Sequence, residues 1–491
     1  MTEHELRAMI PTLQRDIDLI DTEMFTTPSI TRFGSLTYER IGKISLLTKI
    51  SSVLSPIKAL PFEMLSEIFS HCVSGPVDLS LWESNVLESW SISQVCSRWR
   101  DVALQTPSLW NNIAVMFRGS RRRNWDCLIH LTEIYLSRTR HSLISLRIVA
   151  SPSRGPLAAI SRHGLTTLIQ PYLGQLRHLS LQPAEAFKDL LWLPCGRVNA
   201  LETVSLSFER GIYGLPLTMS ESPLTLFDAA SSLRMAHLST LSADLCICLP
   251  WAQITHLDFT GSSFTPQKYH TMIRQCTNLI SCTCGMVRQR EAPYAIPPTV
   301  LKNLEVAIFA GDNNTAYAHF LRPFILPSIR QLEVSFVYDA GQPGDDEVLL
   351  IKRSSCVLKR LVIKDFGPDR AFELLAELPS LTELRLSTGS LGNIVFRELL
   401  RSIACGDLVP NLHRFECDLS AASFILHILD ARMKPRHPPH LPYTAIQTLV
   451  IHGNPNKARG LIKASLSTLS TLGMDILILP HSEESPGVFF V

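Results

Sequence analysis

The sequence lacks the features that mark several large classes of protein. It has no uninterrupted run of about 18 apolar residues, so we expect no membrane-spanning helix. Its first residues, MTEHELRAMIPTLQRD, contain no continuous apolar segment of the kind found in signal peptides. The 46 Lys and Arg residues nearly balance the 44 Asp and Glu residues, and a net charge of +2 gives no overall attraction to nucleic acid or acidic lipid. We therefore expect an intracellular protein, cytoplasmic or nuclear or both, that binds its partners through local surfaces.

The sequence also lacks the common motifs of enzymes and metal sites. It contains no H-E-x-x-H, G-x-S-x-G or G-x-G-x-x-G segment, so we predict no catalytic residue and no cofactor. None of the 12 cysteines belongs to a C-x-x-C pair, which favours reduced thiols and argues against a metal site. Two C-x-C pairs remain, Cys246 with Cys248 and Cys282 with Cys284. Because alternate residues share one face of a strand, we interpret both pairs as core residues.

The sequence does contain enough apolar residues for a large core. Hydrophobic residues make up 46% and charged residues 18% of the 491 residues, which predicts several domains or a repeat array. At the N-terminus, apolar residues recur at alternating steps of four and three from Leu6 to Met24. Proline suits a first helical turn, so we predict a helix from about Pro11 to Met24 and a second helix over residues 36–54. Residues 1–55 would then form a helical hairpin, interpreted as a packing extension of the next domain, with dimerisation as the alternative.

One six-residue pattern recurs after residue 140. It places apolar residues at its first, fourth and sixth positions, and most copies are separated by about 21 to 34 residues, which predicts a repeat array. A weaker copy, LRMAHL, begins at Leu233. The clear copies are LISLRI from Leu143, LRHLSL from Leu176, LETVSL from Leu201, ITHLDF from Ile254, LISCTC from Leu279, LEVAIF from Leu304, IRQLEV from Ile329, LKRLVI from Leu358, LTELRL from Leu381, LHRFEC from Leu412 and IQTLVI from Ile446.

The repeated pattern predicts stacked parallel strands. Its two alternating apolar residues lie on one face of a strand, and its first residue packs at the strand entrance. One unit cannot bury this face alone, whereas stacked units form a continuous sheet, with helices in stretches such as FRELLRSIAC and DRAFELLAEL. The pattern resembles leucine-rich repeats but lacks their regular Asn or Cys. We therefore predict an α+β protein with helices at the N-terminus and an irregular α/β leucine-rich-repeat-like solenoid with a parallel sheet over residues 143–491; an ordinary α/β domain is the alternative.

Residues 59–72, ALPFEMLSEIFSHC, predict a short helix with a broad apolar face. Pro61 suits the first helical position and makes Leu60 the cap, although leucine cannot accept a hydrogen bond from the free N–H groups of a first turn. An apolar residue at a cap indicates packing, either within the fold or against a partner. The apolar face consists of Met64, Leu65, Ile68, Phe69 and Cys72.

This part of the chain resembles the F-box family. The segment SISQVCSRWRDVALQTPSLWNNI is particularly similar to the F-boxes that are numerous in fungi, whereas a longer acidic loop over residues 74–88 departs from the family. Each matching dipeptide is weak alone, but the ordered set is specific, so residues 56–115 are identified as an F-box domain of the fungal type. The matching residues are Leu60-Pro61, Met64-Leu65, Ile68-Phe69, Val95-Cys96, Trp99, Pro107, Leu109 and Trp110.

The resemblance implies a small three-helix module that binds the Skp-type adaptor of a cullin-based ubiquitin ligase. By the same resemblance, Val95, Cys96 and Trp99 would complete or support the adaptor-facing surface. Trp99 and Trp110 have a second interpretation, as residues that hold the core of the module together. Most of the adaptor-facing surface would come from Leu60, Pro61, Met64, Leu65, Ile68 and Phe69.

The resemblance also implies a use for the repeats. In the family, the region after the F-box captures the protein to be ubiquitinated, and a solenoid offers a concave surface for this. We predict a helical linker over residues 116–142, followed by the substrate-binding region over residues 143–491. The mixed charges at variable strand positions favour a protein target over nucleic acid. The candidate substrate-binding residues are Arg177, His178, His256, Asp258, Arg330, Lys359, Arg360, Arg385 and Arg414.

Two other functions stay open at the level of sequence. The first is a leucine-rich-repeat interaction protein whose F-box works outside ubiquitination, which would bind the adaptor without a cullin. The second is an unrecognised hydrolase or transferase built on the α/β repeats. An enzyme of this kind would show a deep pocket with convergent titratable groups.

Overall fold

The protein is described by a computed structural model in which the chain divides into two compact units. Unit 1 consists of Met1–Val77 with Val86–Trp110, and unit 2 of Asp78–Asn85 with Asn111–Val491. Most of the predicted acidic loop and parts of the predicted repeat region lie outside the described residues, and the predicted domain boundaries stay predictions. The structure describes residues 2–73, 75–79, 88–117, 122–150, 164–208, 223–241, 245–287, 296–311, 314–336, 346–364, 368–387, 397–418, 444–453 and 475–479.

Unit 1 is helical, and unit 2 alternates strands with helices. The helices of unit 1 are α1 (Glu3–Thr26), α2 (Ile30–Val53), α3 (Phe62–Cys72), α4 (Glu88–Gln94) and α5 (Ser97–Gln105). Those of unit 2 include α6 (Arg122–Arg138), α7 (Lys188–Leu191), α8 (Pro266–Ile273), α9 (Asn314–Leu321), α10 (Asp346–Ser354), α11 (Pro368–Ala376) and α12 (Arg397–Cys405). The strands are β1 (Val77–Asp78), β2 (Asn112–Phe117), β3 (Ile144–Ala150), β4 (Leu176–Gln182), β5 (Thr203–Ser207), β6 (Met235–Ser239), β7 (His256–Asp258), β8 (Ser263–Phe264), β9 (Ser281–Val287), β10 (Thr299–Val300), β11 (Val306–Gly311), β12 (Phe324–Ile325), β13 (Gln331–Phe336), β14 (Arg360–Lys364), β15 (Glu383–Ser387), β16 (Arg414–Asp418), β17 (Thr448–His452) and β18 (Asp475–Leu479).

The N-terminal hairpin consists of α1 and α2, joined by residues 27–29. The predicted start of the first helix near Pro11 is wrong, because α1 already begins at Glu3 and continues through the proline. A capping box at Thr2 and Glu5 explains the early start, since the two side chains satisfy free N–H groups of the first turn. The seam between the helices buries Leu13 and Ile20 of α1 with two residues of α2, Leu36 and Ile50.

The sheet of unit 2 is long, open and parallel, as the repeated pattern predicted. From β2 the strand order is β2-β3-β4-β5-β6-β7-β9-β11-β13-β14-β15-β16-β17-β18, and β8 pairs with β9 outside this path. Equivalent apolar residues of successive repeats stand side by side, so that one buried row runs across the strands. The helices predicted for DRAFELLAEL and FRELLRSIAC are confirmed as α11 and α12. The row across β13 to β17 consists of Leu332, Leu361, Leu384, Phe415 and Leu449.

Two predicted core positions are exposed. Leu143 is 44% exposed, because Ile144 occupies the buried position at the strand entrance that the pattern predicts for Leu143. The pairing of β3 with β4 shifts by one residue at this point. Cys246 is exposed and Cys248 is half-buried, since the residue between them, Ile247, is the one that points into the core. The other pair, Cys282 and Cys284, is buried as predicted.

Behind the sheet, buried charges connect neighbouring repeats. Glu347 of α10 is 1% exposed on its side chain and lies 2.5 Å from Arg370 of α11. A second Arg370 nitrogen lies 3.0 Å from the same carboxylate, so the pair is bidentate. Arg353 of α10 donates to the backbone carbonyl of Phe324 at 2.7 Å, which ties this helix to the preceding repeat. Each of these bonds joins adjacent repeats only, as expected for a solenoid.

The strand β9 contains a bulge at Gly285. Cys284 pairs with Phe309 of β11 and Met286 with Ala310, which leaves Gly285 between two paired residues. A Cβ atom at this position would clash with the backbone carbonyl oxygens of Ser262 and Phe259. Only glycine therefore allows the preceding loop to cross so close to the strand.

We expect Gly285→Ala to lower the free energy of unfolding by about 1–3 kcal/mol, because rigid backbone must move to make room for the methyl group. Urea denaturation of the full chain measures the change. Gly174→Ala is the matched control, since its Cβ would meet only an ordinary contact at 3.8 Å. Equal stability of the two variants would contradict the close crossing at Gly285.

Candidate functional site

The first candidate site is built on α3 of unit 1. Leu60 closes a short turn over Pro56–Ala59, Pro61 is the N-cap, and α3 begins at Phe62. The predicted cap at Leu60 is thus wrong by one residue. The guanidinium of Arg98 donates to the backbone carbonyls of Lys58 and Leu60, which fixes the entry into the helix.

The predicted apolar face of α3 divides into a buried and an exposed row. Leu65 and Phe69 are 0% and 1% exposed, and the Phe69 ring lies 4.8 Å from the ring of Trp99 in α5. Their neighbours Ser66 and Ser70 also point inward, where their hydroxyls meet those of Thr106 and Ser108 at 2.9 and 3.0 Å. Leu65 and Phe69 therefore belong to the core of unit 1 and do not offer a surface to a partner, in contrast to the role predicted for them.

The exposed row lies beside the buried one, along the same helix. Met64 is 52% and Ile68 37% exposed, and Pro61 is exposed one turn before Met64. Residues three or four apart share one side of a helix, so the three form a continuous stripe. Val95, which follows α4, is 60% exposed. Phe62, which the sequence did not single out, is also 38% exposed, although its place in the first turn of an amphipathic helix was a usable signal.

The remaining predicted residues support the core of unit 1. Cys96 is the N-cap of α5, where its sulfur accepts a hydrogen bond from the backbone N–H of Trp99 at 3.4 Å. Trp110 is fully buried, and its Nε1 donates to the carbonyl of Ala103 at 2.8 Å. Trp110 thus fits the second interpretation given to it, as a core residue, whereas Trp99 is half-buried and packs on Phe69 at the edge of the core.

The second candidate site is the polar face of the sheet in unit 2. The structure separates the nine predicted substrate-binding residues into two groups. Arg177, Arg330 and Lys359 are exposed at strand entrances: Arg330 and Lys359 stand just before their strands, and Arg177 is the second residue of β4, which the pairing with β3 skips. The others lie within strands, on the face opposite to the buried apolar row, and these are His178, His256, Asp258, Arg360, Arg385 and Arg414.

At its C-terminal end this face carries a cluster of charges around Glu416. The Glu416 carboxylate lies 3.0 Å from Arg360, 2.9 Å from Arg414 and 3.0 Å from His452. Arg360 also lies 2.7 Å from Glu383 of the strand between them. The sequence could not identify His452, because it lies one residue beyond the last apolar position of its repeat.

The pKa of Glu416 lies below its usual value. Burial alone would raise it, but hydrogen bonds from His452 and Arg414 and the positive charge of Arg360 outweigh burial. The ionised carboxylate is therefore the form that the fold favours.

Arg385 differs from the other cations of the face. Its side chain is half-buried, and its Nε atom makes no hydrogen bond to any described residue. The face carboxylates around it already have partners, since Glu416 is bound as above and Glu333 lies 2.8 Å from Lys364. In the described part of the chain, Glu416 and Glu333 are thus both bound to cations other than Arg385.

Towards its N-terminal end the face is less charged. His237 of β6 and Asp258 of β7 are register neighbours, and their side chains lie 3.4 Å apart. Burial lowers the pKa of His178, as does the nearby charge of Arg177. Burial likewise lowers the pKa of His256. Both imidazoles are therefore neutral at pH 7, and His237, in the weaker repeat from Leu233, was missed by the sequence.

A polar cleft of about 500 Å³ lies at the strand entrances near the C-terminal end of the sheet. No carboxylate lines it, and the Nδ1 of His413 is engaged with the backbone carbonyl of Asn411 at 2.9 Å. The described residues contain no group of three His, Cys, Asp or Glu side chains that could hold a metal ion. Among the described helices, none is long and apolar enough to cross a membrane. The cleft is lined by Ser380, Thr382, Asn411, His413, Thr444 and Gln447.

We expect Glu416→Gln to lower the free energy of unfolding by about 1–3 kcal/mol at neutral pH, because the amide removes the buried negative charge that Arg360 and Arg414 share. The pKa of Glu416 is lower in the folded chain, so the contribution is full above the unfolded pKa and is lost as pH falls through the folded pKa. Urea midpoints of wild type and variant should therefore converge in acid. Glu373→Gln, at an exposed position of α11, is the control; a constant difference at all pH values would contradict the proposed linkage.

Comparison with known protein families bears on unit 1. No curated protein shows significant similarity to the chain. Residues 57–116 match the family model described as F-box-like. The match spans α3, α4 and α5 and does not extend to the repeats, so that the fungal type and the leucine-rich-repeat assignment stay predictions. The chain therefore contains an F-box-like domain at residues 57–116.

Proposed function

We propose that the chain is the substrate-recognition subunit of a Skp/cullin/F-box-type ubiquitin ligase. The observation that carries this proposal is the F-box-like match over residues 57–116. It is supported by the exposed apolar stripe of Pro61, Met64 and Ile68, which lies beside a row of α3 that is already buried in the core of unit 1. Exposed apolar side chains on a folded module are available for a partner.

The adaptor would cover this stripe together with Val95 and Phe62. Full burial of a Val, Ile, Met or Phe side chain stabilises a complex by about 1.5–3 kcal/mol each. Several such residues together offset the loss of translational and rotational freedom on association, which costs about 4–15 kcal/mol. Leu60 is half-buried and would contribute a smaller share. Leu65, Phe69 and Trp99 would act indirectly, by holding the stripe in place.

The chain itself would catalyse nothing. Through the adaptor it would join a cullin and a ubiquitin-charged enzyme, and through its repeats it would hold a target protein nearby. Tethering raises the local concentration of the target's lysines, which is sufficient for selectivity. A protein that acts in this way works in the cytoplasm, the nucleus or both.

The target would bind the polar face of the sheet. Both signs of charge are present, and most charges form pairs with each other, such as Lys364 with Glu333 and Arg360 with Glu383. Such a face does not supply the row of unpaired cations that phosphate backbones require. A protein surface with its own alternating charges is the better fit, and Arg385 offers a cation for one of its carboxylates.

We expect Met64→Asp combined with Ile68→Asp to abolish binding to a purified Skp-type adaptor. Burying unpaired carboxylates in an apolar interface costs several kcal/mol, and about 4 kcal/mol already weakens binding by a factor of roughly 1000. Isothermal titration of the full-length chain measures the loss. The stripe is on the surface, so the fold should survive, and circular dichroism checks this.

The matched control for this pair is Leu19→Asp combined with Phe25→Asp. Both control residues are exposed on α1, at 63% and 94%, and lie outside α3. Unchanged adaptor affinity of the Met64/Ile68 variant would overturn the assignment of the stripe. Binding to the adaptor without recovery of a cullin from cells would favour the alternative, a repeat protein that works outside ubiquitination.

We expect Arg385→Gln to remove proteins that co-purify with the repeats, while adaptor binding stays unchanged. The change deletes the cation that faces a target carboxylate but adds no charge beside Glu416. Quantitative mass spectrometry after affinity purification compares wild type with the variant. Lys359→Gln is the control, because this residue is exposed at a strand entrance and not on the face; equal losses in both variants would place the target at the strand entrances instead.

A further inference from the structure

The helix α2 exposes an apolar stripe that neither α1 nor the rest of unit 1 covers. Ile30 is 90%, Tyr38 81%, Ile41 57% and Phe33 46% exposed. At 100° per residue these positions lie on one side of the helix, away from the buried Leu36 and Ile50. With the small residues between them they define the α2 stripe, which consists of Ile30, Phe33, Gly34, Thr37, Tyr38, Ile41, Gly42 and Ser45.

The α2 stripe contains no charged residue. The cations of this part of α2 are directed instead towards α1, where Arg32 lies 2.7 Å from Glu23 and Lys43 lies 2.8 Å from Asp16. Arg40 is paired with Asp21 of α1 in the same way. Because the stripe itself carries no charge, two copies of it could face each other without repulsion between like charges.

The stripe also contains two glycines that the chain itself does not require. Gly34 and Gly42 lie inside α2, where glycine destabilises a helix relative to alanine. A Cβ atom at either position would meet no atom within 4 Å, so no neighbour in the described chain excludes a side chain there. Helix glycines with open space in front of them allow another helix to approach closely.

Large and small residues of the stripe alternate in a self-complementary order. If two α2 helices lie antiparallel about a two-fold axis between Thr37 and Tyr38, residues at equal distances from the axis meet. Ile41 then faces Gly34 of the second copy near the midline of the contact, whereas Phe33 and Gly42, which are nine residues and about 180° apart on the helix, lie at its two edges. Thr37 faces Tyr38 by the same rule, and Ile30 faces Ser45. A two-fold interface requires a patch that fits itself in this way.

From these observations we propose that the N-terminal hairpin pairs with the hairpin of a second copy of this chain, antiparallel, through the α2 stripe. The occupant is another copy because the stripe complements itself in size and carries no charge that would repel its own copy. The inference is independent of the adaptor-binding stripe, which lies on α3. It develops the alternative that the sequence left open for the hairpin, dimerisation.

Sedimentation velocity of the full-length chain over a concentration series tests the proposal. We expect wild type to pass from monomer to dimer, Ile41→Glu to stay monomeric, and Leu19→Glu to dimerise like wild type. Leu19 is a matched control, since its exposure of 63% is close to the 57% of Ile41 and it lies outside the α2 stripe. A monomeric wild type, a dimer that Ile41→Glu leaves intact, or equal losses in both variants would overturn the proposal.

The combined variant Gly34→Ala and Gly42→Ala separates pairing from folding. Alanine favours the helix, so the melting temperature should not fall, whereas the methyl group added at Gly34 fills the space opposite Ile41 of the second copy. We expect dimerisation to weaken by about tenfold or more, as overpacking of a close contact does. Unchanged dimerisation would show that the backbones do not approach at the glycines and would overturn the antiparallel pairing. Loss of adaptor binding in Ile41→Glu with a monomeric wild type would assign the stripe to the adaptor instead.

Discussion

Each repeat of unit 2 carries an apolar strand face that it cannot bury alone, and the architecture of the unit follows from this constraint. Leu332, Leu361 and Leu384 each occupy the same place in their strands, so parallel pairing in register joins them into one covered row. A helix such as α11 or α12 closes the back of the row. Because every strand needs a neighbour on both sides, the array is stable only as a stack.

The same constraint leaves the opposite face of the sheet free to vary. Strand residues alternate between the two faces, so Arg360, Glu383 and Arg414 stand in register on the polar side while their neighbours in sequence fill the core. Charges brought this close form pairs with each other, and the cluster at Glu416 stabilises the ionised carboxylate. Because these charges are already paired at fixed positions, the face presents a rigid pattern to a partner. Its side chains would lose little further conformational freedom on binding.

Features that depend on spacing could be predicted from the sequence, and features that depend on what packs where could not. The step of three and four at Leu13 and Ile20, the six-residue repeat and the F-box-like set of residues are local patterns, and the structure or the family match bears each of them out. The sequence could not divide the apolar residues of α3, because Leu65 and Met64 have the same hydrophobic character and differ only in whether α5 lies over them. Pro11 by itself indicates a helix start, whereas the capping box that begins α1 lies nine residues earlier, at Thr2. The exposure of Leu143 likewise reflects a shift in pairing with β4 that no local pattern encodes.

The bidentate pair of Glu347 with Arg370 sets a limit on how this array could change during evolution. The two side chains belong to adjacent repeats and are buried together. A different repeat placed beside either of them would not supply the matching charge. Deleting or duplicating one of these units by recombination would leave a charge buried without its counter-ion, which costs about 3–5 kcal/mol. Repeats of this kind are not interchangeable modules. The array is expected to diverge by substitution within a fixed order of units, so that gain or loss of whole units would be confined to places where no such pair crosses the junction.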